Sequence, residues 1–76
     1  MTSAEPGRVL LFLFETTTEV FWAEEVAEEE GIPVEVVPAP EGLNDLCGLA
    51  IRTLKDHAGA FSRMLEKEGI TFREHF

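Results

Sequence analysis

The chain uses one pattern twice, and this internal repeat restricts its possible folds more than any other feature. A Glu-Gly-Ile step that follows a helical pattern occurs at 30–32 and again at 68–70. The offset from Gly31 to Gly69 is 38 residues, and the offset from Thr16 to Thr53 is 37. Glycine is preferred just after a helix, where the backbone turns left-handed. Two strand–helix–strand units of nearly equal length therefore predict a βαββαβ chain.

The first half opens with a predicted strand over Val9–Phe14. This stretch is continuously apolar, which is typical of a strand buried on both faces. Thr16 followed by Glu19 matches a capping box, so we expect a helix to start here and to end at Gly31. The second strand is predicted at Val34–Val37, after a proline that cannot continue the helix.

Helical spacing also predicts which face of this first helix is buried. The core positions should be Val20, Trp22, Ala23, Val26 and Ala27. Phe21 lies off that arc and is a candidate contact with a second copy or another partner. The run Glu28–Glu30 is predicted to be a solvated helix end, and the alternative is a docking patch for a basic partner.

The second half repeats the order of the first. Leu49–Arg52 is a predicted strand, and Thr53 with Asp56 is a looser form of the capping signal. The second helix should end at Gly69, and Ile70–Phe76 is predicted to be the last strand.

A sheet of four short strands has only two helices here, which are too few to cover both of its faces, so a doubly wound parallel sheet is not expected. We therefore predict an α+β, ferredoxin-like βαββαβ fold, with a four-stranded antiparallel sheet and both helices on one face. Residues 1–7 are expected to be a flexible N-terminal tail, and residues 8–76 a single domain.

Composition narrows the possible partners. The chain has 76 residues and a net charge of −9, without a basic cluster. Neither nucleic acid nor an anionic membrane surface is expected as a partner, because both attract basic side chains. The apolar run is too short to span a membrane or to resemble a signal peptide, so we expect a cytoplasmic protein. So small a core suggests a homodimer or another partner that covers apolar surface.

Cys47 is the only cysteine, and it ends the longest connection in the chain, residues 38–48. It is a candidate nucleophile or sulfur carrier, because a thiolate attacks sulfur donors. Gly48 permits close approach of another backbone. Arg52 and the N-terminus of the second helix are expected to favour the anion. The alternative is a small buried hydrophobe, which is a common role for an unpaired cysteine.

The two histidines give weaker signals. His57, near the start of the second helix, and His75, on the last strand, are both expected to face solvent. No pair among them and Cys47 has zinc-site spacing, so no metal site and no cofactor is predicted. A catalytic Cys47–His57 pair remains an alternative, since ten residues of separation do not forbid it.

Three segments carry a resemblance to a known family: Phe14–Glu19, Gly31–Pro40 and the Cys-Gly-Leu-Ala-Ile-Arg block at Cys47–Arg52. In these segments the chain resembles the selenium/sulfur carrier protein-like family of small bacterial domains. With the closing Glu-Gly-Ile segment, the resemblance covers about residues 8–76. It implies that Cys47 carries sulfur or selenium as a persulfide or perselenide. It also implies a donor such as a cysteine desulfurase, and an acceptor protein.

Three hypotheses follow from these features. The first is a carrier, which is not itself an enzyme, that loads and unloads at Cys47 with help from Gly48, Arg52 and His57. The second is a ligand-binding or protein-interaction module in which Cys47 is inert. The third is an enzyme with a Cys47–His57 pair.

Overall fold

The structure, a computed structural model, describes residues 8–40 and 48–75 and has the element order that the repeat predicts. The elements are β1 (Val9–Leu13), α1 (Thr17–Glu30), β2 (Glu35–Pro38), β3 (Leu49–Leu54), α2 (Lys55–Glu68) and β4 (Arg73–His75). The predicted tail at 1–7, Cys47 and Phe76 lie outside the described residues. Each helix has 14 residues, and no described helix is long and apolar enough to cross a bilayer.

The four strands form one sheet in the order β2-β3-β1-β4, and each neighbouring pair is antiparallel. The central strands β1 and β3 pair from Val9 opposite Leu54 to Leu13 opposite Ala50. The predicted ferredoxin-like α+β arrangement is therefore confirmed. Because β1 runs against both β3 and β4, the end of β1 and the starts of β3 and β4 lie at the same end of the sheet.

Both helices pack on one face of the sheet and share one core. Phe12 lies at its centre: its ring meets the ring of Phe61 edge-on, with centroids 4.9 Å apart, and the ring of Phe72 at 5.5 Å. α1 contributes the buried residues Val20, Ala23 and Ala27, and α2 contributes Ala58, Phe61, Met64 and Leu65. Each helix therefore buries one face against the sheet in a single core.

The other face of the sheet carries the alternate side chains of each strand. On it, Arg52 of β3 lies between Leu11 of β1 and Glu35 of β2. Leu13 is buried, Leu11 is half-buried and Val9 is exposed. The expectation that the first strand is buried on both faces therefore holds only toward its C-terminal end.

The ends of α1 agree with the capping prediction, but the buried face is narrower than predicted. The Thr16 hydroxyl accepts a hydrogen bond from the Glu19 amide at 3.2 Å, and Gly31 has a left-handed φ of 76°. The prediction that Trp22 is a core residue is wrong, because the residue is 41% exposed. It lies about 100° around the helix from Ala23, beyond the stripe that touches the sheet.

The start of α2 also differs from the prediction. Thr53 is not a cap but the fifth residue of β3, where it is 3% exposed and donates its hydroxyl to the Pro33 carbonyl at 2.7 Å. β3 continues past Arg52, and Leu54 is the N-cap of α2 without a side-chain hydrogen bond.

Strand boundaries shift at two other places. β2 begins one residue later than predicted, at Glu35, and ends at Pro38. β4 covers only Arg73–His75 of the predicted Ile70–Phe76. Ile70 instead completes the end of α2, because its amide donates to the Leu65 carbonyl at 2.9 Å and its side chain is buried.

Candidate functional site

Gly48 is the described residue next to the candidate thiol, and it begins the entry into β3. Its φ of 79° is left-handed, a conformation that glycine adopts without strain. Among the described residues beyond its chain neighbour Leu49, no heavy atom lies within 4 Å of the position where a Cβ would stand. The Gly48 carbonyl accepts a hydrogen bond from the Ala39 amide at 3.0 Å. This bond holds together the two ends of the connection that contains Cys47.

The helix N-terminus at the Gly48 end of the sheet belongs to α1. β1 ends beside the start of β3, where Leu13 pairs with Ala50, and α1 begins four residues later at Thr17. The positive end of the α1 dipole therefore lies at the same end of the sheet as Gly48. One Glu19 carboxylate oxygen, Oε1, is buried and has no hydrogen-bond partner among the described residues.

The N-terminus of α2, which sequence analysis placed near the thiol, lies at the other end of the sheet. All six residues of β3 separate Gly48 from Lys55, a distance of about 23 Å at the rise of an extended strand. His57 lies in the first turn of α2 and is half-buried. The structure therefore does not bring His57 and Gly48 together.

Arg52 lies between these two ends, on the sheet face away from the helices. It is four residues along the strand from Gly48, about 13 Å. Its guanidinium forms an ion pair with the Glu35 carboxylate. Both side chains are about half exposed, so water screens the pair. The charge of Arg52 is thus shared with a partner that sequence analysis did not identify, because that partner depends on the register of β2 against β3.

His75 lies on β4 opposite Leu11 and is half-buried rather than exposed. Within residues 8–40 and 48–75, no group of three His, Cys, Asp or Glu side chains is placed to hold a metal ion.

An open groove of about 640 Å³ lies at the far end of the sheet from Gly48. Its walls are mostly apolar, and Glu35 and Arg52 supply its charged groups; the lining residues are Val9, Pro33, Val34, Glu35, Arg52, Thr53 and Leu54. Apolar walls with a few polar groups are typical of ligand sites. The groove and the Gly48 end of the sheet are therefore two separate candidate sites.

The position of the α1 N-terminus at the Gly48 end of the sheet was not predicted from the sequence. Its signal was available, because in a βαββαβ sheet the first helix starts at the end where the third strand begins. The N-terminus of α2 was predicted instead, because α2 follows Cys47 closely in the sequence.

Comparison with known proteins gives a single positive result. No curated protein and no solved structure matches the chain significantly. The family described as "Putative Se/S carrier protein-like" matches residues 10–76. The match spans nearly the whole chain, including both helices and all four strands, so the chain belongs to the selenium/sulfur carrier protein-like family.

Proposed function

We propose that this protein carries sulfur or selenium as a covalent adduct of the Cys47 thiol. In loading, the Cys47 thiolate attacks the outer sulfur of a persulfide on a donor protein. The new S–S bond forms as the donor's own S–S bond breaks, and the donor's thiolate leaves with the electron pair of that bond. Sulfur is transferred with no net oxidation, and selenium would transfer in the same way from an S–Se donor.

Family membership is the observation that carries this proposal. The matched region, residues 10–76, includes the only cysteine of the chain. A carrier of sulfur or selenium needs a nucleophilic atom that can both accept and release a chalcogen, and a thiolate has both properties. Serine and histidine cannot hold sulfur in this exchangeable form.

The surroundings of Gly48 support the same assignment. A donor protein must bring its own persulfide against the carrier, and a glycine beside the thiol lets another backbone come close. The α1 N-terminus at this end of the sheet favours a negatively charged group. Arg52 contributes its charge only at long range, because Glu35 already pairs with it. His57 takes no step in this proposal, since it lies beyond the far end of β3.

The partners of this carrier are a donor enzyme, for which we propose a cysteine desulfurase, and an acceptor protein. The cytoplasm is the proposed compartment, because thiols stay reduced there. Transfer requires no cofactor bound to the carrier itself.

Intact-mass measurement after incubation with a cysteine desulfurase and isotopically labelled cysteine tests the proposal. We expect a labelled sulfur adduct that a thiol reductant removes. Cys47→Ser should show none, and no other cysteine can produce a background signal. A native protein that gains no labelled sulfur under these conditions, or a Cys47→Ser variant that gains as much, contradicts the proposal.

The groove at Glu35 and Arg52 favours a second candidate, a ligand-binding or protein-interaction module with an inert cysteine. The rate at which an alkylating reagent labels Cys47 in the native protein separates the two. Labelling as fast as in urea-unfolded protein supports the carrier. Labelling that occurs only on unfolding supports the binding module, in which Cys47→Ser should leave ligand binding intact.

A further inference from the structure

Two adjacent aromatic side chains, Phe21 and Trp22, are exposed on the outer face of α1. Their exposed fractions are 50% and 41%. Among residues 8–40 and 48–75 only two other large hydrophobic side chains are comparably exposed, Val9 and Leu54, and both belong to the sheet. α1 attaches to the core through Val20, Ala23 and Ala27. Neither exposed ring belongs to that core.

The surface around these rings is acidic. Glu25 follows Phe21 by four residues and Trp22 by three, so the helix brings all three onto one face, and Glu29 extends that face by one turn. Glu25 and Glu29 are both exposed. The 14 residues of α1 include six glutamates and no Lys, Arg or His.

α2 provides an internal comparison, because it has the same length and the same type of glycine cap. It has Lys67 in its last turn, which suits the negative end of the helix dipole. The last turn of α1 has no basic residue and contains Glu28–Glu30, which the dipole disfavours. The described large hydrophobic residues of α2 are not exposed. α2 also ends with acids, Glu66 and Glu68, so α1 is distinguished by its two exposed rings and by the absence of any basic residue.

The charge around the rings determines what can cover them. A second copy placed ring to ring would bring two acidic helix faces together, and they would repel each other. An anionic lipid surface would be repelled in the same way. A protein surface with an apolar cleft bordered by Lys and Arg would satisfy both the rings and the carboxylates.

We propose that the Phe21–Trp22 face of α1 is the docking surface for a partner protein that has an apolar cleft bordered by basic residues. If the proposed function holds, on which this part of the inference rests, that partner is the donor enzyme. Phe21 lies about 6 Å along the helix axis from Thr17, the first helical residue, which is at the Gly48 end of the sheet. A partner that binds the rings therefore also borders that end.

The first test uses a short amphipathic Lys/Leu peptide as the probe and does not depend on sulfur chemistry. Trp22 is the only tryptophan, so its emission reports on this face alone. The Lys/Leu peptide should shift the emission to shorter wavelength, whereas a Lys/Ser peptide of equal charge should not. Phe21→Ser should raise the Kd by about tenfold, the loss expected for one interface hot spot.

Matched variants make this binding test specific. Ala60→Ser changes an exposed apolar side chain on α2 and should leave the Kd within about twofold. Glu25→Gln with Glu29→Gln should weaken binding more than Glu66→Gln with Glu74→Gln, which changes the net charge equally. Equal shifts with both peptides, or a Phe21→Ser variant with native affinity, would overturn the proposal.

The second test measures loading by a cysteine desulfurase and, in parallel, by inorganic polysulfide. The Phe21→Ser/Trp22→Ser variant should lose about tenfold in kcat/KM with the enzyme and nothing with polysulfide. Equal enzymatic loading of variant and native protein overturns docking at α1 but leaves the carrier function standing. Failure of the native protein to load from either donor overturns the carrier function, and the peptide measurement then decides the docking proposal.

Two further measurements address the other possible occupants. A dimer in sedimentation velocity that Phe21→Ser dissociates would show that a second copy covers this face, and would overturn the proposal. Co-flotation with neutral phosphatidylcholine vesicles that depends on Trp22 would show that a membrane covers this face, and would also overturn the proposal. We expect neither.

Discussion

Thr53 carries a buried hydroxyl that links β3 to the chain entering the edge strand β2. The hydroxyl donates to the Pro33 carbonyl at 2.7 Å, two residues before β2 begins. The Pro33 carbonyl lies outside the β2–β3 ladder, which begins at Glu35, so the Thr53 side chain adds a contact that the ladder does not.

We predict that Thr53→Val destabilises the fold by about 1 kcal/mol. Valine keeps the shape of threonine, and the Pro33 carbonyl loses its donor. The free energy of unfolding, measured in urea, gives the difference. Thr71→Val is the matched control because Thr71 is exposed, and it should change stability by less than about 0.5 kcal/mol. Equal effects at both positions would contradict a role for the hydroxyl.

Both helices end at a glycine cap in the left-handed conformation. Gly31 and Gly69 both adopt left-handed φ values, 76° and 78°, and their amides bond back to the last turns of α1 and α2. Gly59 differs, since it lies inside α2, where glycine is the less favourable choice. One substitution should therefore have opposite effects at the two kinds of position.

We predict that Gly31→Ala destabilises the protein by about 1 kcal/mol and that Gly59→Ala stabilises it by about 0.5–1 kcal/mol. The first forces a Cβ into the left-handed region, and the second reduces the entropy of the unfolded chain. The alanine methyl at position 59 would meet Arg63 Nη1 at 3.8 Å, an ordinary contact. Urea unfolding of the two variants measures both effects. Two changes of the same sign would contradict this account.

The order and type of the elements could be predicted because the signals were local: an apolar strand, a capping threonine and two helix-ending glycines. The start of α2 was missed because two offsets competed. α1 and α2 lie 38 residues apart, as the glycines indicate, so the equivalent of the cap Thr16 is Leu54 and not Thr53. Thr53 was chosen for its side-chain chemistry, but the register of β3 turns that side chain into the core.

The buried face of α1 and the candidate site depended on contacts that no local pattern contains. The small side chains Ala23 and Ala27 are fully buried against the sheet, and Trp22 lies outside that contact. The pairing of Arg52 with Glu35 follows from the register of β2 against β3. The chemistry expected of the Cys47 block comes from residue type, which is why a sequence can suggest it and a fold alone cannot.

At the scale of the whole molecule, like charges act across the entire protein. The net charge is −9 and the radius of gyration is 12.1 Å. The screening length is about 30 Å at 0.01 M salt and about 8 Å at 0.15 M. At low salt every carboxylate therefore repels every other, and at 0.15 M only near neighbours do.

We predict that the urea midpoint of unfolding rises when NaCl is increased from about 0.01 M to about 0.15 M. Screening removes repulsion that is stronger in the folded state than in the extended chain. The double variant Glu66→Gln/Glu74→Gln has two fewer negative charges and should show a smaller rise. A native midpoint that is constant or falls over this range would contradict the prediction.

The antiparallel pairing of β1 with β3 makes the two halves of the chain near-equivalent partners across the middle of the sheet. Each half is one strand–helix–strand unit. The first half of one molecule can therefore pair with the second half of another molecule as it pairs with its own. Intermolecular exchange of halves is then a route to aggregates that preserve every native strand pairing. Concentrated preparations should be checked for such exchanged species before any higher assembly is taken as functional.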